Sequence, residues 1–405
     1  MTGRHIAFFN YAAHGHVNPT LPVVAELVRR GHRVTYVVAS QFADVVAATG
    51  AEVIAYESTV PKSWNTVAIP AKVTGNDMAE AAVAHLTEAF TPLPEVERRL
   101  DGDRPELMVY DAFGYATGRL LAHKWKLPSV LTATTFVVSE TCNPYAELGA
   151  AMTPPDPDHP ALARHRELLR GTLDAHGLHH LSNEEFTGAA EERTIVFVPP
   201  EFQMGVETFD ERHVFVGPCI GDRAHQGEWR RPDDGRPVVL VALGSFGYEN
   251  QAAFYRDALA ALGDLPWHVV MSLGGLVTPE DLGPLPDNVE TAPWVPQLSV
   301  LEHASAFVSH AGMGSTMESL AFGVPPVLVP RTGEQELVAA RVTELGLGRS
   351  VKPDELTPQW LRNAVLDLAS DHATRSRVRN LAASIAARRG PVLAADTIEA
   401  RLAAS

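Results

Sequence analysis

The chain has 405 residues, 45% of them apolar and 20% charged, with 33 basic against 49 acidic side chains and a formal net charge of −16. That length exceeds one comfortable core and predicts two domains, and the apolar content excludes a disordered chain. The negative balance repels nucleic-acid backbones and anionic lipid, so neither is an expected partner, and two distant cysteines, Cys142 and Cys219, exclude a disulfide framework or a cysteine zinc site.

No run approaches the roughly 20 apolar residues that span a bilayer, and no apolar signal segment opens the chain, so a cytoplasmic protein is expected. In chain order, "HIAFFN" (5–10) reads as a strand. A helix is predicted from Pro19 to Arg30, with Leu21, Val24 and Val28 at helical spacing, Asn18 as N-cap and Gly31 as terminator. Between them lies "AAHGHVNPT" (12–20), where a nucleotide-binding unit would carry glycines and this chain carries His14 and His16. "RVTYVVA" (33–39), "ELMVYD" (106–111), "PSVLTAT" (128–134) and "TIVFVPP" (194–200) are further buried strands. The stretch from Glu140 to Arg193 is polar and rich in Pro and His, and reads as helices and loops outside the sheet.

Gly, Pro and charge replace periodicity in 218–236, the expected linker after a first domain of residues 1–217. Alternation then restarts: "PVVLVALGS" (237–245) is a strand, 250–263 a helix and "WHVVMSLGG" (267–275) a strand. "SAFVSHAG" (305–312), a helix from about Gly314 and "PPVLVP" (325–330) follow within a second domain of 237–390. A helix in 391–405 is expected to pack back on the first domain. The fold class is therefore α/β, two doubly wound parallel sheets in tandem, with ligands expected at the carboxyl ends of strands in one shared cleft.

The densest chemistry lies in "WVPQLSVLEHASAFVSHAGMGSTMESLAFGVPPVLVPRTGEQ" (294–335). A strand ending at His310, a turn of small residues and a helix start make an anion site from amide N–H groups and the helix dipole. Gly312 and Gly314 let a phosphate approach, Ser315 and Thr316 add hydroxyls, and His310 adds a donor. No Walker lysine is present, so ATP hydrolysis is not implied. Ser315-x-x-Glu318 also fits a capping box, and Trp294 and His310 also fit simple core residues.

The order Trp-x-Pro-Gln, His-x-Gly, Ser-Thr-x-Glu, Glu-Gln resembles the nucleotide-sugar signature of family 1 glycosyltransferases, which have the GT-B fold of two Rossmann-like domains. The likeness is greatest to the bacterial macrolide and flavonoid enzymes and extends to "GHVNPTL", "GHRVTY", "FVGP" and "TELGLG". It implies that Trp294 stacks on uracil, Val295 meets the base edge through its backbone, and Gln297 and Glu318 contact ribose. His310, Gly312, Met313, Gly314, Ser315 and Thr316 would cradle the diphosphate with Ser245, and Glu334 and Gln335 would hold sugar hydroxyls. Glu334 stands where many members have Asp, and Gly314 where Asn is frequent.

The same resemblance makes His16 the general base and Asp111 its orienting carboxylate, with His14 a neighbour. A histidine suits the task because its pKa lies near working pH. Two other readings of these residues are a His-x-His metal pair and an Asp111 that caps the following helix. The implied reaction is inverting O-glycosyl transfer of a hexose from UDP-glucose to a small lipophilic acceptor, a macrolide or polyphenol, with no metal or other cofactor required. Use of a TDP-deoxysugar and a nucleotide-sugar epimerase on the same fold are the alternatives. Trp64, Phe113 and Phe136 are the candidate acceptor walls. "DGD" (101–103), "DPD" (156–158) and "HGLHH" (176–180) read as solvated surface rather than metal ligands.

Overall fold

A computed structural model describes residues 3–59, 68–69, 73–188, 191–245 and 247–404. They form two compact units. The first comprises the described residues up to Thr59, Val73–Gly221 and Arg388 onward; the second comprises Ala68–Ile69 and Asp222–Ala387. The expected linker 218–236 thus divides at Gly221/Asp222.

The first unit holds a seven-stranded, wholly parallel sheet. Its strands run, edge to edge, Glu52–Tyr56, Arg33–Ala39, His5–Phe9, Leu107–Asp111, Ser129–Ala133, Thr194–Val196 and His213–Phe215. The central strands His5–Phe9 and Leu107–Asp111 are buried throughout, as continuous apolar runs in a two-sided sheet should be. One apolar cluster, with Ile6, Phe8, Val24 and Leu27, covers one face, and another, with Phe9, Leu86, Met108 and Leu120, covers the other. Strand order reverses between His5–Phe9 and Leu107–Asp111, where Phe9 pairs with Tyr110. Chain segments leaving both strands at their carboxyl ends therefore diverge and leave a crevice.

The second unit repeats the plan with six strands in the order Val289–Ala292, His268–Ser272, Val238–Ala242, Ala304–Ser309, Pro326–Leu328 and Arg349–Ser350. Its switch point lies between Val238–Ala242 and Ala304–Ser309, with Ala242 opposite Ser309. The turns 243–245 and 310–312 consequently leave the sheet side by side.

Two local expectations are corrected. The first helix begins at His14, not Pro19: His14–Val17 is helical, Asn18–Thr20 is a tight turn of helix, and Leu21–Arg29 continues. Asn18 already has helical angles (φ −54°, ψ −43°), so it cannot act as an N-cap, which needs extended backbone. Gly31, at φ +89°, does close that helix. The edge strands Glu52–Tyr56, His213–Phe215, Val289–Ala292 and Arg349–Ser350 are additions to the expected ones; His213–Phe215 and Arg349–Ser350 are short and only half-buried, so periodicity is faint in them.

Candidate functional site

The first unit carries a histidine–carboxylate pair at its switch point. His16 lies in the one-turn helix His14–Val17, and Asp111 is the last residue of the neighbouring strand. His16 Nδ1 is 3.0 Å from Asp111 Oδ2 and 3.1 Å from Oδ1. Asp111 is fully buried while the His16 side chain keeps 17% exposure, so the carboxylate is fixed and the ring reaches solvent. Asp111 Oδ1 also accepts from the amides of Phe113 (2.8 Å) and Gly114 (3.2 Å), just before the helix Tyr115–Trp125. It therefore both holds the turn and engages the imidazole.

Asn10, at the end of the first strand, supports the pair from below by donating to the His16 carbonyl (2.8 Å) and to Thr20 Oγ1 (3.2 Å). Tyr11 and Phe113 meet the His16 ring edge-on at 5.4 and 5.0 Å. His14 faces elsewhere, its ring against Phe42 at 4.9 Å. Among the described residues no group of three or more His, Cys, Asp and Glu side chains is placed to hold a metal ion, and no helix is long and apolar enough to cross a membrane.

Beside this pair, still within the first unit, an open apolar pocket of about 260 Å³ is lined by Met78, Ala82 and His85 of the helix Gly75–Phe90, with Phe113, Tyr115 and His165. Met78 is 50% and Phe113 41% exposed, and both line this one pocket, so they form a contiguous apolar surface rather than scattered exposed side chains. Of the expected acceptor walls among the described residues, Phe113 alone stands here. Phe136 is a correction: it is 3% exposed and stacks on Phe202 at 5.7 Å, so its ring is core packing. Trp64 lies outside the described residues.

The second unit gathers most of the remaining residues at its own switch point. His310 is buried between two glycines: a Cβ on Gly244 would lie 2.6 Å from its ring, and one on Gly312 2.4 Å. Only glycines admit the imidazole there. Burial, reinforced by the Arg331 cation, pushes the His310 pKa down to about 4, so it is a neutral donor at working pH. Ala311 sits at φ +66°, a left-handed turn that costs a non-glycine residue about 1–2 kcal/mol. This strain lets the chain turn sharply from strand into the helix Met313–Ala321, whose N-cap is Gly312. That N-terminus has no side-chain cap, and the fully buried Thr316 hydroxyl has no hydrogen-bond partner. Ser245 follows Gly244 (φ +80°), the other lip of the same switch point.

The capping-box reading of Ser315 and Glu318 fails, because the Glu318 carboxylate points to other partners. Gln297 Nε2 donates to it at 2.5 Å and reaches Ser315 Oγ at 3.4 Å. Arg223 forms an ion pair with the other Glu318 oxygen, both side chains being largely shielded. Arg223 escaped the sequence reading; it lies in a charge-rich stretch without periodicity, and only its basic character among small residues marks it. Trp294, at 52% exposure, is no core tryptophan, and Val295, half-buried, leads from it to the short helix Gln297–Leu301. Gln335 is buried with its amide engaged at both ends: it accepts from the Arg331 amide (2.7 Å) and donates to Tyr248 Oη (2.8 Å). Tyr248 in turn packs against His310 at 5.9 Å. Glu334 is exposed in the first turn of the helix Gly333–Glu344.

Comparison with known proteins places the chain in a family. Residues 256–400 match the family model described as the C-terminal domain of erythromycin biosynthesis protein CIII-like proteins. The chain is 38% identical over 412 residues to the oleandomycin glycosyltransferase of Streptomyces antibioticus, spanning 100% of this chain and 92% of that one. It is 37% identical over 409 residues to the NDP-glycosyltransferase YjiC of Bacillus licheniformis, spanning 100% and 99%. Among solved structures, the calicheamicin glycosyltransferase CalG4 superposes with a TM-score of 0.83 at 40% identity, covering 100% of this chain and 99% of that one. Identity of this order along the full length makes the chain a GT-B glycosyltransferase, a member of the natural-product and macrolide NDP-glycosyltransferase family.

Proposed function

We propose that the protein is an inverting O-glycosyltransferase that moves a hexose from a UDP-sugar, UDP-glucose first, to a hydroxyl of a small lipophilic acceptor. The observation that carries the reading is the 3.0 Å contact between His16 Nδ1 and the buried Asp111. A carboxylate on Nδ1 selects the tautomer that leaves Nε2 to take a proton, and it stabilises the imidazolium formed. In the proposed step, Nε2 takes the acceptor proton as the acceptor oxygen bonds to the anomeric carbon. The bond from that carbon to the diphosphate breaks in the same displacement, which inverts the centre.

The second unit has the groups the departing diphosphate needs. An uncapped helix start at Met313, the unpartnered Thr316 hydroxyl and a neutral His310 would donate to the growing negative charge. The exposed Trp294 indole offers a stacking face for uracil, and Glu318, with Gln297 beside it, an acceptor for ribose hydroxyls. The Arg331 amide and the Tyr248 hydroxyl each use one hydrogen-bond position of Gln335, so in this reading its amide and the Glu334 carboxylate share recognition of sugar hydroxyls. The apolar pocket beside Phe113 would take a flat polyphenol or one arm of a macrolide; its volume is at the small end for ligand sites.

The test is mass spectrometry of the protein with UDP- and TDP-sugars and a panel of phenols and macrolides. One added hexose on an acceptor hydroxyl, unchanged by chelator, is expected. A new sugar from UDP-glucose without acceptor would instead indicate an epimerase, and loss of transfer on chelation would overturn the metal-free step.

A further inference from the structure

From the helix Gly75–Phe90, His85 reaches across to the turn that holds Asp111. Its Nε2 lies 2.8 Å from the Phe113 carbonyl oxygen. A carbonyl only accepts, so Nε2 carries the hydrogen and donates. The amide of that same residue, Phe113, donates to Asp111 Oδ1 at 2.8 Å. Asp111 then engages His16 Nδ1. On its other side the His85 ring stacks on Tyr11 at 4.5 Å with 20° between planes, and Tyr11 meets the His16 ring edge-on. The turn has no slack against this backing: a Cβ on Gly114 would lie 2.8 Å from the Tyr11 amide nitrogen.

We propose that His85 is a positioning residue for the transfer reaction: by pinning the Phe113 carbonyl it fixes the 111–114 turn, and through it the carboxylate that orients His16. This rests on the reading of His16 as general base. Burial pushes the His85 pKa down, which keeps the ring neutral and avoids a second cation beside the imidazolium formed at His16. His85 also lines the acceptor pocket, so a rival role as mere pocket wall must be separated from positioning.

Two substitutions do that. His85→Phe keeps a stacking ring and the pocket wall but removes the donor; His85→Gln restores a donor of similar reach. Positioning predicts that His85→Phe lowers kcat about tenfold or more while the acceptor KM moves less than about threefold, and that His85→Gln recovers most of kcat. It also predicts that adding His85→Phe to Asp111→Asn costs nothing further in single-turnover rate, because the effect runs through that carboxylate. An unchanged kcat in His85→Phe, or an equal loss with and without Asp111, would overturn the inference, with thermal melting confirming that each variant is folded. Full turnover in His16→Ala would overturn the base assignment and this inference together. An inactive His16→Ala beside a fully active His85→Phe would overturn this inference alone.

Discussion

His310 has a folded pKa of about 4 against 6.5 for a free side chain, chiefly because burial opposes its charge. A depressed histidine contributes stability above the unfolded pKa, and that contribution is lost as pH falls through 6.5 toward 4, where the unfolded chain binds a proton the native state refuses. The shift corresponds to on the order of 3 kcal/mol across that window. Chemical denaturation of the second unit at pH 7.5 and pH 5 should show the wild type losing more stability than His310→Phe. An equal loss in both proteins would mean that another group governs the acid limb. The residue scale also marks where sequence reading stops. His16 and Asp111 were singled out because "GHVNP" and the strand end "ELMVYD" match the motifs that carry the family resemblance, and their strands were recognisable as apolar runs. His85 was not, since in "EAAVAHLTEAF" it is one polar residue on an alanine-rich helix, and nothing local shows which carbonyl it meets.

At the scale of elements, each candidate site is a pair of turns leaving adjacent parallel strands at the point where strand order reverses. In the second unit this juxtaposition demands glycine on both lips. Gly244→Ala would place a methyl 2.6 Å from the His310 ring at a φ of +80°, so the turn must move. The expected result is at least a tenfold weaker UDP affinity by titration calorimetry, with His16 and Asp111 untouched. Gly274→Ala, also at positive φ (+72°) but with only ordinary contacts near the added methyl, is the control for backbone strain and should keep UDP affinity. If both variants lost affinity alike, strain rather than the imidazole's close fit would be the cause. The strands that built these turns were readable from apolar runs such as "VVLVA" and "AFVS". The turn strain at Ala311 was not, because alanine carries no signal for left-handed backbone. Nor was the Arg223–Glu318 pair, which joins residues 95 apart through a stretch without period.

For the whole molecule, the chain completes its first unit only with its last helix. Gly390–Ala403 packs against Leu21–Arg29, burying Ala394, Ala395, Ile398 and Leu402 in the core beneath the strand that leads to His16. Arg30 bonds Asp396 (2.7 Å) and Glu399 (2.6 Å), and His32 Nε2 lies 2.9 Å from Glu399, so a polar rim closes over the apolar seam. The seam contributes more than the outer Arg30–Asp396 pair, because an ion pair whose carboxylate is exposed is worth about 0–1 kcal/mol whereas a buried Ile398→Ala change costs about 2–5 kcal/mol. Ile398→Ala should therefore speed amide hydrogen exchange in Leu21–Arg29 and in the strands His5–Phe9 and Arg33–Ala39, while Met313–Ala321 keeps its protection and UDP binds as before. Asp396→Ala should leave exchange nearly unchanged. If exchange in the second unit rose equally with that in the first, the last helix would be stabilising the chain as one cooperative body. If Asp396→Ala matched Ile398→Ala, charge rather than apolar burial would be what fastens it.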